Sequence, residues 1–132
     1  MIQCNNIILH KAGLYSANKD MYFERSGASS RLAKTHNKEL VKLVSLDEYL
    51  SEQERSEITY IKLDIEGAEL TALKGMKETI ADFKPKLAIC IYHKAEDLWE
   101  LPLFIHELNP DYKLYIRHHW KNFTETVLYA IP

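Results

Sequence analysis

The stretch Asp64-Ile65-Glu66-Gly67-Ala68-Glu69 sets three carboxylates close together. Asp64 and Glu66 are two residues apart, so on an extended segment both face one side. Carboxylates placed in this way can orient a hydroxyl or accept its proton. Gly67 permits a tight turn, and Glu69 falls in the first turn of the segment that follows, where a helix dipole favours an anion. A plainer account of the same residues is that Glu66 and Glu69 cap a helix and Asp64 fixes the turn. His93 follows an apolar run, and an imidazole there is a general-base candidate with an ordinary pKa of about 6.5. The competing role is a surface histidine at the start of a loop. His118 and His119 are adjacent, so on an extended chain they point to opposite faces and at most one faces a site. Asp64, Glu66, His93 and His118 are all metal-ligand types. Their spacing matches no recognised zinc pattern, so no metal is assigned. Trp120, with Trp99 and Phe123, offers aromatic faces on which a sugar ring can stack; more often such residues complete a core or cover a sheet edge. His118 and Trp120 are the substrate-binding candidates. His10, His36 and His106 read as structural or surface residues, and Lys34, Lys38 and Lys42 as a solvated face.

The elements that must position these groups are clearest in the second half. Residues 58–64 (ITYIKLD) are rich in β-branched and aromatic side chains and read as a strand. Ala72, Leu73, Met76 and Ile80 then recur at helical spacing, and that helix should stop before Pro85. Residues 87–92 (LAICIY) are continuously apolar, as in a strand buried on both faces. A helix is expected to begin near Pro102, which suits a first turn, and to end at 109–111. Residues 112–116 and 126–131 read as two more strands, joined without a helix and therefore antiparallel. Upstream, residues 7–10 and 21–23 read as short strands, and 41–44 as a strand leading into a helix over 46–50. Ser45 and Glu48 have capping-box spacing for that helix. Residues 26–30 and 51–57 read as loops. Alternation of strand and helix implies an α/β sheet, whose ligands sit beyond the carboxyl ends of its strands. Asp64 with Glu66, Tyr92 with His93, and the loop around His118 all fall at such ends.

Composition sets the outer bounds. The 132 residues suit one domain or a piece of a larger one. Lys and Arg total 17 against 19 Asp and Glu, so there is no cationic excess for nucleic-acid phosphates. The longest apolar run, 87–92, is far short of a membrane span. No signal peptide is visible at the N-terminus. Cys4 and Cys90 form no CxxC pair, and Cys90 lies in an apolar run, which suits a reduced, buried thiol and a cytoplasmic protein.

Residues 61–69 (IKLDIEGAE) closely resemble the KxDxEGxE motif of FkbM-type methyltransferases. Residues 70–75 (LTALKG) continue the likeness, as do Lys84-Pro85-Lys86-Leu87 leading to His93. Arg117-His118-His119, the tail 125–132 (ETVLYAIP) and Val44-Ser45-Leu46-Asp47 also look like segments of that family. The resemblance implies a Rossmann-like class I methyltransferase fold, α/β, with a mostly parallel sheet and an antiparallel last strand. It also implies S-adenosylmethionine as cofactor and methyl transfer to a hydroxyl of a sugar or natural product, hence a small-molecule or carbohydrate acceptor. Asp64 and Glu66 would then be the catalytic and cofactor-facing residues, orienting substrate, serving as base or facing the sulfonium, with His93 the other base candidate.

Family members place a glycine-rich cofactor loop near the start of the domain. Here Gly13, Gly27, Gly67 and Gly75 form no GxG. The chain is therefore expected to be the C-terminal part of the domain, a single partial unit over residues 1–132 with the cofactor-loop half absent. Removing the first strands of such a sheet leaves an exposed edge, so a homo-oligomer or pairing with a missing N-terminal half is expected. Two further readings compete: a methyltransferase-derived binding or interaction domain without catalysis, and a small metal-dependent hydrolase using Asp64, Glu66 and His93.

Overall fold

The computed structural model describes residues 6–24, 31–33, 39–121 and 124–132. Cys4, residues 26–30, Lys34, His36, Lys38 and Phe123 lie outside them. The first part forms a four-stranded sheet from β1 (Gly13–Leu14), β2 (Lys19–Glu24), β3 (Arg31–Ala33) and β4 (Glu39–Val44), in the order β1-β4-β2-β3. Two short helices follow, α1 (Leu46–Tyr49) and α2 (Glu52–Ser56). The second sheet contains β5 (Tyr60–Leu63), β6 (Lys86–Cys90), β7 (Lys113–His118) and β8 (Thr126–Ile131), in the order β5-β6-β8-β7. Helices α3 (Glu69–Lys74) and α4 (Lys77–Phe83) connect β5 to β6, and α5 (Asp97–Leu108) connects β6 to β7.

Both sheets are mixed, which corrects the expectation of a mostly parallel sheet. β1 runs parallel to β4 and β5 to β6, whereas β2·β3, β2·β4, β6·β8 and β7·β8 are antiparallel. Parallel neighbours need a long crossover, and α3 with α4 supplies one between β5 and β6. β8 follows β7 through a short loop and inserts between β6 and β7, reversed to both. The antiparallel final pair is as the sequence indicates.

β6 holds the centre, with Leu87, Ala88, Ile89 and Cys90 all buried. Its alternate residues pack on two faces. Leu87, Ile89 and Ile91 join Leu63, Leu73, Met76, Ile80, Leu101, Ile105 and Leu128 in the main core, while Ala88 and Cys90 pack with Val127 on the other face under Tyr92 and Tyr129. Burial pushes the Cys90 thiol up to about 12, so it stays a neutral packing group.

The periodic apolar stripe Ala72, Leu73, Met76, Ile80 is fully buried, but split between two helices with Met76 at the corner that joins them. The break is at Gly75. A Cβ there would lie 1.9 Å from the Tyr15 carbonyl oxygen, so only glycine fits. The Gly75 carbonyl leaves the helix ladder and accepts from the Ser45 hydroxyl at 2.9 Å and the Asp47 N–H at 3.0 Å. Ser45 thus anchors the α3–α4 corner and makes no capping box with Glu48. The capping box is one turn later: the Ser51 hydroxyl accepts from the Glu54 N–H, and the Ser51 N–H donates back to the Glu54 carboxylate at 2.8 Å. That box starts α2 in a segment expected to be a loop. α5 begins at Asp97, ahead of Pro102, which the helix absorbs at the loss of one backbone bond. Residues 7–10 form no strand, and Ile7, Ile8 and Leu9 stand 70–83% exposed.

Candidate functional site

β5 and β6 are parallel neighbours, with Leu63 opposite Ile89, so their carboxyl ends lie side by side. Asp64 leaves the first end, and Tyr92 and His93 the second. After Leu63 the chain turns sharply. The Ala68 N–H bonds back to the Ile65 carbonyl at 3.3 Å, across Glu66 at φ 55 and Gly67 at φ 89. Two central residues at positive φ are what a type I′ turn requires. Glycine takes that conformation freely; Glu66 holds it at a cost of about 1–2 kcal/mol. A Cβ on Gly67 would also meet the Lys94 side chain at 2.9 Å, and the Lys94 ammonium donates to the Gly67 carbonyl.

The turn brings three predicted residues together. His93 Nε2 lies 3.5 Å from Asp64 Oδ1 and 3.8 Å from Glu66 Oε2. The two carboxylates converge through the reversal at 66–67, and not because an extended strand presents them on one side. Asp64 also receives the Tyr92 hydroxyl at 3.3 Å and the Lys62 ammonium at 3.4 Å. Asp64 and Glu66 are partly open to solvent, whereas the His93 side chain is only 9% exposed.

Glu69 is fully buried behind the histidine. Its Oε1 accepts the Ile65 N–H at 2.9 Å and approaches His93 Nδ1 at 2.9 Å. Off hydrogen-bond alignment, that approach is an electrostatic one, and both imidazole nitrogens and Glu69 Oε2 remain without hydrogen-bond partners. Asp97, at the start of α5, is buried with its Oδ2 unpartnered. Burial, and then the nearby Glu69 charge, push its carboxyl above the usual range. Sequence reasoning placed Glu69 as a dipole-favoured helix residue and passed over Asp97 and Lys62. Helical spacing gives no sign that an acid in the first turn points inward.

His118 and Trp120 lie elsewhere. With His119 and Lys121 they line an open cavity of about 660 Å³ that shares no lining residue with the Asp64–His93 cluster. His118 Nδ1 is 2.9 Å from the Thr126 hydroxyl, and His119 Nε2 is 3.0 Å from the Tyr129 hydroxyl. Both histidines line the cavity, although only one was expected to face a site. β7 ends at His118, so strand alternation no longer separates them. Trp99 stands 52% exposed on α5 and does not line this cavity.

A glycine cradle for S-adenosylmethionine is not found among the described residues. The Cβ position of Gly13 is filled by Leu43, that of Gly67 by Lys94, and that of Gly75 by the Tyr15 backbone, so none of the described glycines opens onto space for a ligand. What the cluster fits chemically is an acceptor: carboxylates and an imidazole at the mouth of two parallel strands, able to bind a hydroxyl and take its proton. No helix among the described residues is long and apolar enough to cross a membrane.

No curated protein sequence matches the chain. A solved structure described as methyltransferase FkbM from Methylobacillus flagellatus KT is similar, with a TM-score of 0.72 and 32% identity. The likeness covers 92% of this chain and 27% of that one, so the chain spans about a quarter of its neighbour's length. Residues 3–119 match the family described as the methyltransferase FkbM domain, and with this structural likeness in agreement, the chain belongs to that family.

Proposed function

We propose that the protein serves S-adenosylmethionine-dependent O-methylation of a hydroxyl on a sugar or natural product, and that this chain supplies the acceptor side of the reaction. The observation that carries this reading is the meeting of Asp64, Glu66 and His93 at the carboxyl ends of β5 and β6. A neutral alcohol is a poor nucleophile and gains from groups that hold its oxygen and remove its proton. Asp64 and His93 orient the hydroxyl, and the three side chains together provide the proton acceptor. S-adenosylmethionine would supply the methyl group; its cradle belongs to a part of the domain that the described residues do not include. The open cavity at His118 and Trp120 offers an aromatic surface and donors for the rest of the acceptor.

The test is transfer of a labelled methyl group to a panel of sugar and natural-product alcohols. It is run with the chain alone and with a glycine-loop half of a class I methyltransferase domain joined upstream. Transfer is expected only in the joined protein, and Asp64→Asn or His93→Ala should lower it about 10²–10⁴-fold. Transfer unchanged in both variants would overturn the assignment. A second reading, a non-catalytic interaction domain, is favoured by one feature: β5 pairs only with β6 among the described residues, and Tyr60 on that edge is 54% exposed. A stable complex through that edge, with no transfer by either protein, would support it.

A further inference from the structure

We infer that Asp64, Glu66 and His93 form a binding site for a divalent cation, with Glu69 as the carboxylate that fixes the histidine from behind. The inference deepens the proposed acceptor role of this cluster and rests on that reading for its purpose, though not for its test.

His93 is the first ground. Its side chain is more than nine-tenths buried, yet neither ring nitrogen has a hydrogen-bond partner. A buried imidazole left in that state is missing something. Nε2 faces Asp64 Oδ1 at 3.5 Å and Glu66 Oε2 at 3.8 Å, both longer than a good N–H···O bond. Two donors that share an ion at about 2.1 Å are separated by about 3.0–3.4 Å, depending on the angle between them. The Asp64 distance is close to that, and the Glu66 side chain, 41% exposed, can close the remainder.

Glu69 is the second ground. Histidines that bind metals usually hold their other ring nitrogen against a carboxylate, which sets the tautomer and the ring orientation. Glu69 Oε1 stands 2.9 Å from Nδ1, placed for that role although off hydrogen-bond alignment, and is itself held by the Ile65 N–H. The donor atoms that already lie within 4.8 Å of one another are those of Asp64, Glu69 and His93, so Glu66 reaches the ion only by moving its exposed side chain inward.

Charge is the third. Three carboxylates surround the imidazole, and among the described residues, besides that imidazole, only Lys62 forms an ion pair with any of them, from an exposed position on Asp64. A cation between Nε2 and Asp64 would neutralise part of that field. One imidazole with carboxylate oxygens suits a first-row divalent ion such as Mn²⁺ better than Ca²⁺, which prefers oxygen donors alone. At the mouth of the cluster it would polarise an acceptor hydroxyl and ease loss of its proton to a carboxylate oxygen of the cluster that does not bind the ion.

The probe is Mn²⁺, titrated into the folded chain and followed by the loss of the free-ion electron paramagnetic resonance signal. Saturation at one ion per chain is expected. Asp64→Asn and His93→Ala should each weaken binding at least about tenfold, and Glu69→Gln by about 10–100-fold. Asp64 is partly exposed, so its variant answers the question even if His93→Ala fails to fold. No saturable binding up to millimolar Mn²⁺, or equal binding by the folded Asp64→Asn variant, would overturn the site. Methyl transfer that persists in a strong chelator would overturn the cation inference and leave the proposed function standing. Mn²⁺ binding with no transfer by the joined protein would do the reverse.

Discussion

Glu69 and His93 meet inside the protein, with the Glu69 Oε1 and His93 Nδ1 atoms 2.9 Å apart and the carboxylate completely buried. The same oxygen accepts the Ile65 N–H, so one side chain ties the β5–α3 turn to the segment that leaves β6. Glu69→Ala leaves that N–H unsatisfied and should cost about 1–3 kcal/mol in urea denaturation. Glu69→Gln keeps an acceptor oxygen and should cost less. Equal losses for both variants would show that the charge, and not the hydrogen bond, holds the turn.

Asp47 caps a helix that lies far from it in sequence. Its carboxylate accepts the Glu78 N–H at 2.9 Å, the Thr79 N–H at 3.0 Å and the Thr79 hydroxyl at 2.6 Å, at the start of α4. Met76, the residue in the cap position, makes no side-chain cap of its own. Asp47→Ala should therefore cost about 2 kcal/mol, the upper end for a helix cap, read by chemical denaturation. A loss below about 0.5 kcal/mol would mean that water replaces the carboxylate.

Glu66 sits at φ 55 in the turn that forms the cluster. Glu66→Gly should relieve that strain and stabilise the fold by about 0.5–1 kcal/mol, after allowing for the greater freedom of glycine in the unfolded chain. The same change should weaken Mn²⁺ binding. A destabilised Glu66→Gly protein would show that the carboxylate contributes more to the fold than its backbone costs.

Asp97 sets a pH dependence. Its folded-state carboxyl titrates above the ordinary value because burial, and then Glu69, disfavour the charge. The folded protein thus holds this proton to higher pH than the unfolded chain does. The resulting stabilisation is fully present below about pH 3.9 and is lost as pH rises through the folded-state value. Asp97→Asn cannot ionise, so the stability of the unmodified protein should fall relative to the variant as pH rises above about 4. Denaturation curves at several pH values check this; a difference that does not change with pH would contradict it.

Periodicity and the acid-rich turn made much of this legible in the sequence. The apolar run before Tyr92 is the central strand, the stripe from Ala72 to Ile80 is buried, and Asp64, Glu66 and His93 do come together. What escaped reading depends on partners distant in sequence. Ser45 looks like a cap by spacing but bonds to Gly75, while the box at Ser51 and Glu54 lies in a run whose charge alone reads as a loop. The helix break at Gly75 comes from the Tyr15 backbone, which no local pattern records. The run at 7–10 has strand composition, but composition alone supplies no neighbour to pair with. Glu69 and Asp97 are ordinary first-turn acids until the packing of α3 and α5 turns them inward.

The most direct test of the division of labour is a calorimetric titration of S-adenosylhomocysteine, with folding checked by circular dichroism. No binding by the folded chain alone is expected, and micromolar binding once a glycine-loop half is joined upstream. Micromolar binding by the chain alone would contradict it, because a cofactor site would then exist without a glycine cradle.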